Sequence, residues 1–316
     1  MKNSLQNSEA RSEISGGVTR HPRFSLWKLR RNGMKKLINS RFLFAVPALV
    51  FLFIFVLLPV FSVFVMSFFS WDLLSPPKFT GWDNFLRLLE DKWFWNSIWV
   101  SIKLLMMTVP MCFFVPLALA VCLYKETTFS KILRAFFYWP YMMPAVAGTT
   151  MFKWLLSYDL GLLNHIIKSA GFSPVPWLLK PTPALFAISL LRTWGMTGLL
   201  MMMFITGLQS VPEEFHEAAR VDGANRWQTF WYVTFPLLKN TNLLVLTTAI
   251  AHVFRDFAGV YVLTGGGPGY STMVTPLYIY NTAFTQWRIG YAYAMSVVFL
   301  LVSFVIAVVT LRVRER

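Results

Sequence analysis

Long apolar runs alternate with short polar ones along most of the chain. Six blocks rich in Phe, Leu, Val and Met occupy 43–69, 97–123, 134–157, 183–208, 240–263 and 289–311. Each has at least the roughly 20 residues that span a bilayer core. They lack the period-two alternation of barrel strands, and lipid leaves no partner for a free backbone polar group, so each block is read as a helix. Pro59, Pro110, Pro116, Pro140 and Pro144 fall inside the blocks and predict kinks tolerated by neighbouring packing. The expected fold is an all-α integral membrane protein with six transmembrane helices.

Composition agrees and sharpens the orientation. The 316 residues are 56% hydrophobic and 14% charged, against roughly 25% charged in a soluble domain. Of the formal charge of +15, residues 1–41 carry ten Lys or Arg against two Glu, a net +8 directly before the first apolar block. That placement favours the positive-inside signal and anionic lipid over nucleic acid. Lys125 and Lys131 lie in the 124–133 loop, with Arg134 at its edge, and the chain ends in LRVRER; in 70–96, Lys78, Arg87 and Lys92 are offset by Asp72, Asp83, Glu90 and Asp91. Both termini and the 209–239 loop are therefore expected in the cytoplasm, with 70–96, 158–182 and 264–288 facing outward. The expected organisation is a partly disordered basic tail, 1–41, and a six-helix transmembrane domain, 42–316. Residues 24–38 read equally as a basic interfacial helix or a solvated lead-in. The first block is too long for a signal-peptide core and no small-residue cleavage site follows it.

No enzyme chemistry is legible. Cys112 and Cys122 share one apolar block and imply neither a disulfide nor a metal site. HExxH, paired-Cys and nucleophile-elbow motifs are missing. TGGGPGYST (264–272) lacks the GK[ST] that would bring a lysine to a phosphate, so it is read as a tight outward turn. No catalytic residue, metal or cofactor is expected in this chain.

The hydrophilic stretch EFHEAARVDGANRW (215–228) stands out between the fourth and fifth blocks. Ser210 and Glu213 match a capping box, with Pro212 early in the first turn. Phe215, Ala218 and Ala219 share a helical face, and Gly223 is a natural stop. Trp227, Phe230, Trp231 and Thr234 recur at helical spacing up to Pro236, predicting a second short helix. The product is a rigid elbow with a flat alanine patch flanked by Glu217 and Asp222. From the residues alone it is either a docking element or an ordered loop.

EAARVDGANRWQTFWYVTFP resembles the EAA loop of permease subunits in binding-protein-dependent ABC importers. Glu217, Ala218 and Ala219 are followed by three residues, Gly223, nine residues, then Val233, Phe235 and Pro236. The stretches 154–185 and 260–284, with LTGGGPGYST, are similar to the carbohydrate-uptake branch of maltose- and glycerol-phosphate-type permeases. The resemblance covers about 43–312 and leaves the basic tail outside. It implies a type I importer fold and a coupling helix seated in a cytosolic ATPase. Glu217 would meet a basic ATPase residue, Ala218 and Ala219 would permit close fit, and Gly223 would make the bend. The implied partners are a second, homologous permease, two ATPase subunits that bind the ATP and Mg, an extracytoplasmic solute-binding protein and a carbohydrate, in the bacterial inner membrane. The rival readings are a permease for another solute, such as a peptide or osmolyte, or a self-sufficient secondary carrier.

Lys103, Lys153, Arg192, His252, Arg255 and Asp256 lie in or near the apolar blocks, where ionisable groups face a bundle interior or a wet cavity. Lys153, near a block end, is expected to snorkel. Arg192, Arg255 and Asp256 read either as helix-locking ion pairs or as cavity lining; Arg255 and Asp256 are adjacent and would pair with other residues. The resemblance places sugar contacts on the helices flanking the EAA loop, which by offset implies Gly195, Met196 and Leu199 upstream and Ala249, Val253 and Asp256 downstream. Asp256 would accept sugar hydroxyls, and Trp194 offers either a stacking face or plain packing. Arg192 and Arg255, with Lys103 as a further candidate, would leave the pathway net positive despite Asp256 and favour an acidic saccharide.

Overall fold

A computed structural model describes residues 45–315. The basic tail, and the first two residues of the first predicted span, lie outside the described residues. The chain divides into a first unit ending at Ser62 and a second from Val63 onward. The described part of the first unit is the start of a long apolar helix, α1 (Ala45–Met66). It contains a π turn, Phe53–Leu57, closed by the Leu58 N–H donating to the Phe53 carbonyl. Pro59 follows two residues later, and widening the turn relieves the clash a proline makes with the carbonyl four residues back.

In the second unit a short antiparallel hairpin, β1 (Phe69–Ser70) with β2 (Lys78–Phe79), pairs Phe69 with Phe79 and Ser70 with Lys78. Helices α2 (Asp83–Glu90) and α3 (Lys92–Leu123) follow. Asp91 between them accepts from the Trp93 and Phe94 N–H groups and so caps α3. The chain continues as α4 (Thr128–Met142), α5 (Ala145–Leu155), α6 (Leu162–Ser169) and α7 (Pro181–Gln209). Then come α8 (Glu213–Val221), α9 (Arg226–Leu237), α10 (Lys239–Phe254), α11 (Ala258–Leu263), α12 (Thr275–Tyr280) and α13 (Ile289–Glu315).

Four of the six predicted spans are single long apolar helices among the described residues: α1, α3, α7 and the Ile289–Thr310 part of α13. The other two blocks are broken. The block at 134–157 divides at Met143 and Pro144 into α4 and α5, because Pro144 cannot continue a helix and caps the next one. The block at 240–263 divides at residues 255–257 into α10 and α11. If α9 and α10, bent by 72° at Leu238, count as one broken span, five segments pass the length and apolarity test.

Helices α3 and α7 pack against each other as a spine. Two apolar clusters fill it. One gathers Phe94, Leu104, Ile188, Leu263 and Leu277; the other gathers Phe113, Leu117, Leu200, Phe204 and Val245. Near the junction of the clusters the Thr108 hydroxyl donates to Ser189 Oγ at 2.9 Å, and Cys112 Sγ lies 3.7 Å from Thr193 Oγ1. Small hydroxyl residues tie helices together where water is scarce. The 32 residues of α3 run for roughly 48 Å at 1.5 Å per residue, which separates the two ends of the spine. At one end Gln209 donates to the Tyr124 carbonyl, so α3 and α7 finish side by side. At the other, Asn96 donates to the Tyr270 carbonyl and the Thr275 N–H donates to Ser101. The 209–239 elbow and the 264–288 segment are therefore at opposite ends of the spine.

Candidate functional sites

The elbow begins where α7 ends. Ser210 is not the cap of the next helix. It terminates α7, its hydroxyl donating to the Gly207 carbonyl at 2.7 Å, and α8 starts after Pro212 without a side-chain cap. The Ser–x–x–Glu match was therefore in the wrong turn. The working capping box is one helix later, where Asn225 Oδ1 accepts from the Gln228 N–H and Gln228 Oε1 accepts from the Asn225 N–H, both at 2.9 Å. The stop at Gly223 is as predicted. Its φ is +78°, a region that disfavours a side chain, and the Gly223 and Ala224 N–H groups donate to the carbonyls of Arg220 and Ala219. Pro236 does not end α9. A π turn, Phe230–Thr234, precedes it by the same two residues as in α1, and the helix runs on to Leu237.

The predicted alanine face divides in two. Ala219 is buried at 7% exposure, whereas Ala218, Glu217 and Asp222 are exposed. Phe215 is 45% exposed and Val221 88%. Arg220 donates to Glu213 at 3.3 Å across the solvent-facing side, an exposed pair of little energetic weight. The elbow is thus internally fastened, with a small-residue, acidic and apolar surface left uncovered.

The membrane charges behave oppositely. Arg192 on α7 and Asp256 in the α10–α11 break form a bidentate ion pair through Nε and Nη2, 64 residues apart in sequence. The Asp256 side chain is fully buried and Arg192 is 24% exposed. Oδ1 of Asp256 also accepts from the Gly259 N–H at 3.2 Å. A Cβ at Gly259 would come within 2.5 Å of Arg192 Nη2, so glycine there lets the guanidinium approach the chain. Both groups are satisfied within the chain. Of the two readings open from the sequence, a helix-locking ion pair or cavity lining, the ion pair is the one formed here: Asp256 is held by Arg192 and by the Gly259 backbone. Of the other two cations, Arg255 is exposed and donates to the Ala251 carbonyl at 3.1 Å, while Lys103 Nζ sits 5.5 Å from the Trp99 ring. With Arg192 and Asp256 neutralising one another, the net positive charge behind the acidic-solute expectation rests on Arg255 and Lys103. Lys153, in the last turn of α5, is exposed, consistent with snorkelling.

The model for the "Binding-protein-dependent transport system inner membrane component" matches residues 113–316, well over half the chain and including both the elbow and the ion pair. The chain belongs to this family. This inner membrane component is 31% identical over 269 residues to the sulfoquinovosyl glycerol transport permease of Agrobacterium fabrum, covering 84% of this chain and 87% of that one. It is 32% identical over 267 residues to the trehalose/maltose permease of Thermococcus litoralis, covering 84% and 90%. To the arabinooligosaccharide permease of Bacillus subtilis the figure is 31% over 290 residues, covering 90% and 92%. A crystal structure of a bacterial ABC transporter that imports the acidic polysaccharide alginate shares the fold, with a TM-score of 0.77 at 22% identity, covering 90% of this chain and 99% of that one. The permease is a multi-pass transport subunit of an ABC importer and not an enzyme.

The remaining pathway candidates of the permease scatter. Met196 and Ala249 lie in one core cluster and Val253 in the other, at 5%, 0% and 3% exposure. None of the three presents a surface to a passing solute in this conformation, because their helices pack face to face there. Trp194 packs at 5.0 Å from Phe152 yet also borders a 560 Å³ cavity with Thr193, Thr197, Phe137 and Met151. Leu199 borders a second depression of 450 Å³ with Arg134, Tyr138 and Met202. Gly195 is half-buried beside them, with open space where a Cβ would be.

Proposed function

We propose that this component is one of two permease subunits of an ATP-driven carbohydrate importer in the bacterial cytoplasmic membrane. It would work with a homologous permease, two cytosolic ATPases and an extracytoplasmic solute-binding protein. Both termini and the elbow lie on the cytoplasmic side, and the six apolar blocks cross the bilayer, two of them as broken helices. The carbohydrate assignment is supported by the named solutes of the relatives: a sulfoquinovosyl glycerol, trehalose or maltose, and arabinooligosaccharides.

One observation carries the coupling role: the elbow is rigidly fastened on its inner side while its Glu217–Ala218 side is left open. Helix α8 hangs directly from the end of the α7 spine, so a force applied to it moves α7 and the Arg192–Asp256 junction with it. ATP-driven closure of the ATPases acts through the seated elbow and opens the pathway outward, and hydrolysis resets it. Trp194 and Leu199, which border open space, with exposed Arg255, are the pathway residues this reading keeps.

Reconstitution separates the readings. The chain with its second permease and ATPases takes up sugar only with ATP and the binding protein; the permeases without ATPases take up none. Uptake by this chain alone would establish the secondary-carrier reading instead.

A further inference from the structure

A small polar pocket sits at the spine end opposite the elbow. It has a volume of 260 Å³ and is walled by the hairpin (Ser70, Trp71, Asp72, Ser75, Lys78), by α2, and by the start of α13. Three cations border it, Lys78, Arg87 and Arg288, against one carboxylate, Asp72, a surplus of two positive charges. Among the described residues none of the three cations is in an ion pair. Asp72 offsets one of the three charges without a direct ion pair to any of them. Its Oδ1 accepts from the Ser75 N–H, the Ser75 hydroxyl and the Leu74 N–H, and these bonds hold its carboxyl below the usual range.

The wall is built to stay open. The Gly290 N–H donates to the Trp71 carbonyl, and buried Asn84 donates to the Ser67 and Phe69 carbonyls, fixing the hairpin to α13 and α2. Behind the pocket, Tyr291 donates to Asp91 at 2.8 Å and Tyr278 donates to the same carboxylate. Burial first, and the Asp91 charge second, push the Tyr278 phenol above its ordinary range, so it stays a donor. Arg288 lies 4.6 Å over the Tyr291 ring. Trp287 on the rim has a φ of +57° and Leu73 a φ of +65°, conformations costly for bulky residues and found where surroundings impose them.

We propose that this pocket is an anion receptor that takes an Asp or Glu side chain of the solute-binding protein when that protein docks. This rests on the outward placement and on the importer reading. The volume admits a carboxylate side chain with room to spare and falls below the range of most ligand pockets. The pocket also shares no residue with the cavity bordered by Trp194.

The test is a titration of the assembled importer in nanodiscs with its own sugar-free binding protein, at low and high salt. Arg87→Gln with Arg288→Gln should weaken binding at least tenfold at low salt and flatten its salt dependence, and Lys78→Glu should weaken it further. Lys92→Gln, a nearby exposed cation outside the pocket, should bind as the unaltered complex does. Co-purification of the ATPase subunits confirms that each variant is assembled; Lys78→Gln, on the exposed hairpin, is the fallback should the double variant fail that check. Binding within twofold of the unaltered complex overturns the pocket's role. A loss seen only with sugar-loaded binding protein assigns the anion to the sugar and also overturns it. No binding by the unaltered complex sinks the importer reading along with the pocket.

Discussion

The elbow and the membrane ion pair are both built from charged residues beside glycine, yet they are opposites. At the ion pair, Arg192, Asp256 and the Gly259 N–H consume one another's bonding capacity, and the carboxylate is out of reach of any ligand. At the elbow, the internal bonds are made by backbone groups and by Asn225 and Gln228, while Glu217, Ala218 and Asp222 are left exposed. A charge fully satisfied inside its own chain holds structure. A charge left open on a rigid support is available to a partner.

The largest effect should come from breaking the open site. Glu217→Lys, or a bulky residue at Gly223, is expected to abolish sugar uptake in cells while the chain still inserts at normal levels, as read by membrane immunoblot. Full transport with both changes present removes the coupling role.

Next comes the closed site. Asp256→Ala leaves Arg192 buried without its partner and should cost about 3–5 kcal/mol of stability, seen as loss of folded protein in detergent melts. Replacing both partners with apolar residues of similar size should restore most of that loss. If Asp256→Ala instead melts normally and only weakens sugar affinity, Asp256 is a ligand contact after all.

The two alanines sharpen the comparison within the elbow. Ala219→Phe overpacks a buried position and should destabilise by about 1–3 kcal/mol. Ala218→Phe, one residue away on the open side, should leave the melt unchanged but reduce co-purification of the ATPase. The smallest effect is at the caps. Asn225→Ala should cost about 0.5–2 kcal/mol, whereas Ser210→Ala should not reproduce that loss of α9's cap.

These contrasts mark what the sequence could and could not carry. The long apolar helices were legible because a bilayer demands about 20 apolar residues in a row. Gly223 was legible because a positive φ leaves a residue-type signature. The Arg192–Asp256 pair was weighed but not assigned, since nothing local links residues 64 positions apart. The break at Pro144 was legible only as a kink, and the break at 255–257 coincides with Arg255 and Asp256, which read as charges rather than as a helix end. Ser210 misled because Ser–x–x–Glu fits two successive helix ends, and only the hydrogen bond to Gly207 tells them apart. The Asn225–Gln228 box was readable from the motif, as Asn caps as well as Ser.

The central claim is tested most directly by a crosslink. With Cys122, the exposed native cysteine, replaced by Ser, a single cysteine introduced by Ala218→Cys is treated with a short bifunctional reagent in inverted vesicles holding the assembled complex. The account predicts one covalent adduct between this chain and an ATP-hydrolysing subunit, lost when Glu217→Lys is added. Modification of that cysteine only from the outer face, or an intact complex that never yields the adduct, would contradict it.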